Sequence, residues 1–532
     1  MNGIQLYRHQ VEAVDWMESM ENSLGGGILA DEMGVGKTFE ILGLIIRRRG
    51  SGPTLVVVPA SLVSMWIGSI RDLCGSSLRY TVMICLSRED LSRDDLSTFD
   101  IVLITYSHLI SMYHVYAVSE DGLTEPAPVK GSPYHFMWSR VVLEEGHRIR
   151  SLTSTHFKAV LELESDCRWV VTGTPVQNSL KDLHPYFAFL RFRPLGTWHC
   201  RERECDCIRF EKVERVCRSC GCPGRCHVSK FDILLNFLNG RNPELRARAA
   251  AHMAEVRAQM MYRRRLRGIT TLPQREDIDI YVEMDEDDRI VYDVLLRDIR
   301  DKLDYRNYRH ILDRLSLMRQ MCDDRLLVRF SPDGEIRDLP TGVPPAHPAG
   351  FAGAIMVEEY RASAKVRAIM EQVAAVCNTE KVVIFSHYRR MLRILHRQLK
   401  DRAIGHLVLA GEVPVIERGE IVREFNERAS KRVLLATILT GGEGLNLTVA
   451  SVAILCEPWY NPAVDAQAGA RIHRLGQLRP TKVIRFITKR TVEERIVEIH
   501  SEKSALLDFI DGGNDAQATP SLTNQQMSIL FH

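Results

Sequence analysis

Short β-branched and aliphatic runs recur along the chain, each followed by a helical stretch or a polar turn. TLVVV ends at Val58, IVLIT at Thr105, RVVLE at Glu144 and RWVV at Val171. After a gap a second set follows: KVVIFS ends at Ser386, RVLLA at Ala436, SVAIL at Leu455 and KVIRFI at Ile487. Continuous apolar strands of this kind, alternating with helices, predict parallel sheets buried on both faces. Two sets predict two α/β domains. Between them SPDGEIRDLPTGVPPAHPAG, residues 331–350, is rich in Pro and Gly and reads as a linker. A charged, helical segment over about 240–325 precedes it. No internal repeat of short period is visible.

Composition narrows the class. Of 532 residues, 45% are hydrophobic and 26% charged, which excludes disorder as the main state. No run reaches the roughly 18 apolar residues of a membrane span, and MNGIQLYRHQ lacks a signal-peptide pattern. The expectation is a soluble, intracellular protein with no membrane partner. Lys and Arg number 70 against 68 Asp and Glu, so any nucleic-acid surface must be local.

Two segments carry phosphate and metal chemistry. GGGILADEMGVGKTFEILGLII sets a glycine-rich turn between an apolar run and a helix beginning near Lys37. Backbone N–H groups around Gly34 and Gly36 can cradle phosphates, helped by the helix dipole. Lys37 would reach the terminal phosphates and Thr38 would ligate Mg2+. Asp31 stands where the general pattern has its first glycine. RVVLEEGHRIR supplies a strand ending in carboxylates: Glu144 for the Mg2+ shell and Glu145 to orient and deprotonate the attacking water. A chance glycine loop and a solvated acidic turn are the bland alternatives, and each is weakened by the presence of the other.

The next motifs carry a family resemblance. VVTGTPVQNSLKDL (Val170–Leu183) and EPWYNPAVDAQAGARIHRLGQ (Glu457–Gln477) resemble the Swi/Snf-type ATPases of helicase superfamily two. LYRHQ, with Gln10, resembles the adenine-reading motif, and LVVVPASLVSMW, ITYSHL, KVVIFSHY and TGGEGLNL resemble further motifs in the family's order, from Leu6 to about Leu506. The resemblance implies two RecA-like parallel-sheet lobes that hydrolyse ATP at their interface and track along duplex DNA without separating its strands. It places Arg471 and Arg474 on the terminal phosphate from lobe two, with Gln467 positioning the same site. Gly173 and Thr174 relay the nucleotide state. Pro59, Ser61, Thr105, Ser386, Gly442 and Asn446 hold the DNA backbone, in contacts that are sequence-non-specific and salt-sensitive. Three residues depart from the family pattern: Glu144 for Asp, His387 for Gln, and Thr440 in the run before Gly441 and Gly442. An active but slowed ATPase is expected, because Mg2+ tolerates little distortion.

Seven of the thirteen cysteines lie between Cys200 and Cys226. Cys205 and Cys207 with Cys217 and Cys220 make the preferred zinc set. Cys200, Cys222, Cys226 and His227 could build a second site, and a redox role is the alternative. The insertion's position resembles the Rad-five/Rad-sixteen branch, but no cysteine occurs between Asp323 and Val376, where that branch carries a RING finger. The expected organisation is lobe one over 1–195, a zinc-binding insertion over 196–230 and a helical segment completing lobe one over 231–325. An inter-lobe linker over 326–360, lobe two over 361–490, and a brace helix and tail over 491–532 follow. MMYRRRLR (Met260–Arg267) reads either as a solvated helix face or as a contact to DNA or the other lobe. The branch implies a monomeric motor meeting chromatin or repair proteins, in the nucleus or, if virus-encoded, in the cytoplasm. A catalytically weak DNA-binding scaffold and a strand-separating helicase are the competing readings.

Overall fold

The structure is a computed structural model. It describes residues 5–75, 77–83, 96–120, 132–177, 179–201, 205–207, 217, 220–223, 226–266, 272–302, 308–328, 360–411, 413, 415–438 and 445–500. The chain divides into two compact units, with the boundary falling at residue 270.

The first unit is built on a seven-stranded, all-parallel sheet. Its strands are β1 (Gly26–Leu29), β2 (Thr54–Val58), β3 (Tyr80–Met83), β4 (Ile101–Thr105), β5 (Met137–Glu144), β6 (Glu164–Val171) and, after a three-stranded antiparallel sheet, β10 (Met261–Tyr262). The order is β10-β1-β6-β5-β2-β4-β3. β2 is buried at every position, as a strand covered on both faces must be. The small sheet, in the order β8-β7-β9, joins β7 (Trp198–Cys200), β8 (Asp206–Cys207) and β9 (His227–Ser229). Helix α1 (Arg8–Leu24) packs Val14, Met17 and Met20 into the core of this unit.

The second unit carries a six-stranded parallel sheet in the order β11-β16-β15-β12-β14-β13. These are β11 (Arg275–Val282), β12 (Val382–Ser386), β13 (His406–Leu409), β14 (Val433–Thr437), β15 (Val452–Leu455) and β16 (Thr481–Thr488). The expected assignment of 231–325 to lobe one is therefore divided. β11 pairs with β16 over its whole length, from Arg275 opposite Thr481 to Val282 opposite Thr488. The helices Glu286–Lys302 and Tyr308–Asp323 pack Tyr292, Leu295, Leu315 and Met318 against Val492, Ile496 and Ile499 of the helix over 492–500. The apolar face of the expected brace helix is thus buried within the second unit. The expected inter-lobe linker falls mostly outside the described residues, and the tail lies wholly outside them. Among the described residues no helix is long and apolar enough to cross a membrane.

One buried charge cluster holds the second unit together. Lys365 Nζ donates to Asp323 at 2.8 Å and to both Glu493 oxygens at 2.7 and 2.8 Å, with all three side chains buried. Glu493 also accepts the Thr488 N–H at 2.7 Å. Removing one partner leaves a buried charge uncompensated. Lys365→Met is expected to cost about 3–5 kcal/mol, read as a lowered thermal transition of the second unit. Adding Asp323→Leu and Glu493→Leu should recover most of that loss; no loss in the single variant would show the cluster to be dispensable.

Candidate active site

The nucleotide loop follows β1. Gly34 (φ +89°) and Gly36 (φ +97°) sit in the left-handed region, which a side chain would strain, and Gly36 caps the helix α2 (Lys37–Arg47). Lys37 Nζ donates to the Asp31 carbonyl at 2.8 Å and the Glu32 carbonyl at 3.3 Å. Burial lowers the affinity of this ammonium for its proton, and the charges of Glu145, Glu144, Asp31 and Glu40 oppose that shift. Thr38 stands in the first turn of α2. Gln10 is buried on α1; its amide donates to the Val35 carbonyl at 3.3 Å, and its oxygen accepts the Tyr7 N–H at 3.0 Å.

β5 delivers the carboxylates. Glu144 closes the strand, and Glu145 turns out of it with φ 50° and ψ 52°, a strained conformation for a residue with a side chain. The Tyr106 hydroxyl donates to the Glu144 carbonyl at 3.0 Å and anchors this turn. Burial first, then the charge of Glu145, pushes the Glu144 carboxyl up to about 8. Its Oε2 is buried without a hydrogen-bond partner among the described residues. An orphaned buried carboxylate oxygen beside a lysine is what a resident magnesium ion would satisfy, so Glu144 and Thr38 fit that ion. Gly173 lies against the same lysine: a Cβ there would sit 3.4 Å from Lys37 Nζ. Thr174 is buried, with its N–H on the Thr172 hydroxyl at 3.1 Å and its own hydroxyl accepting Gln177 at 3.4 Å.

Within the basic run at Met260–Arg267, Arg263 and Arg264 turn into this site, which corrects the reading of the run as a solvated helix face. Met261 and Tyr262 pair with Ile28 and Leu29 of β1, and the chain then turns its arginines into the loop. The Arg264 backbone N–H and Nε donate to the Asp31 carboxylate at 2.7 and 2.9 Å, and Nη2 donates to it as well. Nη2 also reaches Glu40 at 3.0 Å, and Nη1 reaches the His9 carbonyl at 2.6 Å. Arg263 donates to the Ala30 and Gly173 carbonyls at 2.8 and 3.3 Å. The signal that could have found this is Asp31 itself: a carboxylate in place of a loop glycine needs a cation, and no other charge near it in sequence is positive except Lys37.

The second unit holds the remaining residues. Gln467 is half-buried on the helix Pro462–Gly469, and Arg471 and Arg474 follow in the turn after it. Arg471 is buried. Burial, then the neighbouring Arg471 charge, lowers Arg474 to about 10. Its Nε is buried without a hydrogen-bond partner among the described residues. Two crowded guanidiniums fit a phosphate. Among the expected DNA contacts, Pro59 is buried at the end of β2 and Ser61 is half-buried just beyond it. Thr105 Oγ1 accepts the His108 N–H at 3.2 Å, while Asn446 is exposed. Ser386 is buried, and its hydroxyl donates to Glu457 at 2.9 Å. Gly442, with Thr440 and Gly441, lies outside the described residues. His387 stacks on Trp459 with centroids 3.9 Å apart, and burial drives its imidazole pKa well below the usual value, leaving it neutral.

In the cysteine insertion the donor atoms of Cys205, Cys217, Cys220 and His227 all lie within 4.8 Å of one another. His227 Nε2 is 3.2 Å from Cys205 Sγ and 3.5 Å from Cys220 Sγ. His227 thus joins three of the four cysteines of the preferred zinc set. Cys207 pairs with Trp198 across the small sheet, and its side chain is outside the described residues. The sheet register sets Cys200 directly opposite His227.

Two parallel-sheet units, one carrying a glycine-bent phosphate loop with a Lys-Glu-Glu set and the other a neighbouring pair of arginines, define a helicase-like ATPase. The chain belongs to the SNF2-related family: residues 9–327 match the SNF2-related domain, and 364–476 match the helicase conserved C-terminal domain. It is a DNA-dependent ATPase. The ATP-dependent helicase rhp16 of Schizosaccharomyces pombe is 26% identical over 99% of this chain and 70% of its own length. The DNA repair protein RAD5B of Arabidopsis thaliana is 26% identical over 95% of this chain and 47% of its own. A probable global transactivator of Orgyia pseudotsugata multicapsid polyhedrosis virus is 28% identical over 93% and 88%.

The Glu144 shift has a direct consequence. Below about pH 8 the carboxyl is mostly protonated, so a bound magnesium ion must displace a proton there. The half-saturating Mg2+ concentration for ATP hydrolysis should rise as pH falls from 8 to 7, by up to about tenfold, and level off above 8. Glu144→Gln, compared at the same pH values, removes the contribution of ATP's own titration. Parallel Mg2+ profiles in the two proteins would contradict the assignment.

Proposed function

We propose that this chain is an ATP-driven translocase on duplex DNA that remodels protein–DNA contacts. What carries the reading is complementarity of charge. The first unit holds Lys37 against Glu144 and Glu145, a set suited to a metal-bound triphosphate and a water. The second holds Arg471 and Arg474 side by side, where burial and then the Arg471 charge lower Arg474 to about 10. Lys37 and the N–H groups around Gly34 and Gly36 bind the phosphates of ATP, Gln10 serves the base, Glu145 takes the proton of the attacking water, and the arginines stabilise charge on the transferred phosphoryl group. Magnesium, held by Glu144 and Thr38, would neutralise the phosphate oxygens. Asp31 serves by holding the loop, and Gln467 by positioning the arginines. Such arginines are worth about 10³–10⁵ in rate.

Pro59, Ser61, Thr105, Ser386, Gly442 and Asn446 mark the segments that would follow the DNA backbone. Exposed Asn446 would contact it directly, whereas buried Ser386 would act by shaping its turn. Zinc in the Cys205–Cys217–Cys220–His227 cage would fold an insertion poor in apolar residues. The match to a DNA repair protein favours repair as the setting, with chromatin or repair proteins as partners of a monomeric motor. The nucleus is the proposed compartment. The match to a viral protein, 88% of which is covered, keeps a virus-encoded cytoplasmic motor as the other case. One observation favours a weak ATPase used as a scaffold: the longer Glu144 carboxyl is largely neutral at pH 7 before metal binds.

Steady-state hydrolysis with no nucleic acid, single-stranded DNA, duplex DNA and duplex RNA separates these readings. Duplex DNA should stimulate most, and Lys37→Ala should abolish turnover. Arg474→Ala should lower kcat by about 10³-fold or more. Displacement of a third strand from a triplex, without separation of a plain duplex, is the expected mark of translocation. Duplex separation would favour a helicase, and no turnover in any condition would favour the scaffold.

A further inference from the structure

The first metal cage leaves a second group of sulfur donors in place. Cys200, Cys220 and Cys222 have their sulfur atoms within 4.8 Å of one another, so Cys220 belongs to both groups. Cys226 packs against the same buried cluster. The backbone ties the four ligand-bearing segments together. Cys200 N–H donates to the Cys205 carbonyl at 3.1 Å, Arg201 N–H to the Cys226 carbonyl at 2.9 Å, and Cys217 N–H to the Cys222 carbonyl at 2.8 Å. A left-handed Gly221 (φ +73°) closes the turn between Cys220 and Cys222, which lets both sulfurs point into one volume.

We propose that the insertion binds two zinc-type cations bridged by the Cys220 thiolate. One is held by Cys205, Cys217, Cys220 and His227, and the other by Cys200, Cys220 and Cys222 with Cys226 as its fourth donor.

The geometry favours this over a set of buried thiols. Zn–S bonds of about 2.3 Å put two sulfurs on one tetrahedral zinc about 3.8 Å apart, and Cys205 and Cys217 lie 4.0 Å apart. Buried cysteines elsewhere in the chain, such as Cys74, Cys322, Cys377 and Cys456, lie apart from one another in sequence and in three different cores, as thiols packed like small hydrophobes do. In the insertion the thiols instead crowd one another, which as neutral groups brings little and as thiolates demands cations. A single zinc uses the first group completely. Cys200 and Cys222 would then be left pressed against a metal-bound thiolate without a role. Bridging thiolates resolve this, because a thiolate sulfur has lone pairs for two metals. Binding releases a proton from each ligating thiol to solvent and involves no change of oxidation state.

The inference rests on the proposed first zinc site, and metal stoichiometry separates the two. The full chain, purified under reducing conditions and treated with excess mild chelator to strip loose metal, should retain two zinc ions. Retention of one would overturn the bridged pair while leaving the first site intact, and retention of none would overturn both. Sharing of Cys220 is read by replacing zinc with Co(II). Visible absorption of tetrahedral thiolate-bound cobalt should grow to two equivalents. The electron paramagnetic resonance signal should peak near one equivalent and then fall, as a thiolate bridge couples the two spins. A signal that grows linearly to two equivalents would show two separate sites and overturn the bridge. Cys222→Ser, which touches only the second group, should hold one ion and keep the full one-equivalent signal; two ions in that variant would likewise overturn the assignment.

Discussion

The Arg264–Asp31 ion pair is the contact on which the nucleotide site depends. Asp31 is fully buried, and Glu40 beside it is raised to about 8, first by burial and then by the Asp31 charge. Lys37 sits among these groups and the two glutamates of β5. So many acids out of water would be untenable without a cation of fixed geometry, and a guanidinium with its fork of donors supplies one. Arg264 spends that fork on three parts of the unit at once: the loop through Asp31, helix α2 through Glu40, and helix α1 through the His9 carbonyl. Its face lies over the Tyr262 ring, 4.5 Å from the centroid, which sets the plane of the fork.

This contact also explains why the cysteine insertion sits where it does in the chain. The insertion follows the VVTGTP segment and leads through the helix Pro243–Met260 into β10, which delivers Arg263 and Arg264 to the loop. Trp198 and Phe231, at its two edges, flank His184, whose Nε2 is hydrogen-bonded to the Ser229 hydroxyl at 3.2 Å. Burial lowers this histidine to about 4, so it is neutral and serves as packing. A module with a buried seat of this kind sets the path by which the clamp reaches the loop. The second unit solves its own charge problem in a different way. Arg319 is wrapped by the rings of Tyr388, Trp459 and Tyr460 at 5.5, 4.6 and 5.0 Å, and donates to the Pro458 carbonyl at 2.7 Å. That holds the segment leading to Gln467 and the two arginines.

Much of this was legible in the sequence because the strongest signals are local. Strands buried on both faces read as unbroken apolar runs, and the ends of β2, β4, β5, β6, β12 and β15 fall where those runs end. The glycine loop and the carboxylate pair are contiguous motifs. What escaped reading depends on partners far away in sequence. REDIDIYV is an edge strand with alternating exposure, and its acids make it look like part of a charged helical stretch until β16 is set beside it. Arg264 meets Asp31 across 233 positions, so its run looked like a solvated face. His227 joins Cys205, Cys217 and Cys220 because the fold, rather than spacing along the chain, brings its ring to those sulfurs.

The dependence of the loop on its ion pair is tested most directly by ATP binding to Arg264→Lys, with thermal stability measured alongside. Lysine keeps the charge but cannot span Asp31, Glu40 and the His9 carbonyl together. If the pair shapes the phosphate loop, ATP affinity should fall by about tenfold or more, the scale of one lost charge-assisted hydrogen bond, while the second unit's melting transition stays in place. Unchanged ATP affinity in a folded Arg264→Lys protein would show that the loop holds its shape without the clamp.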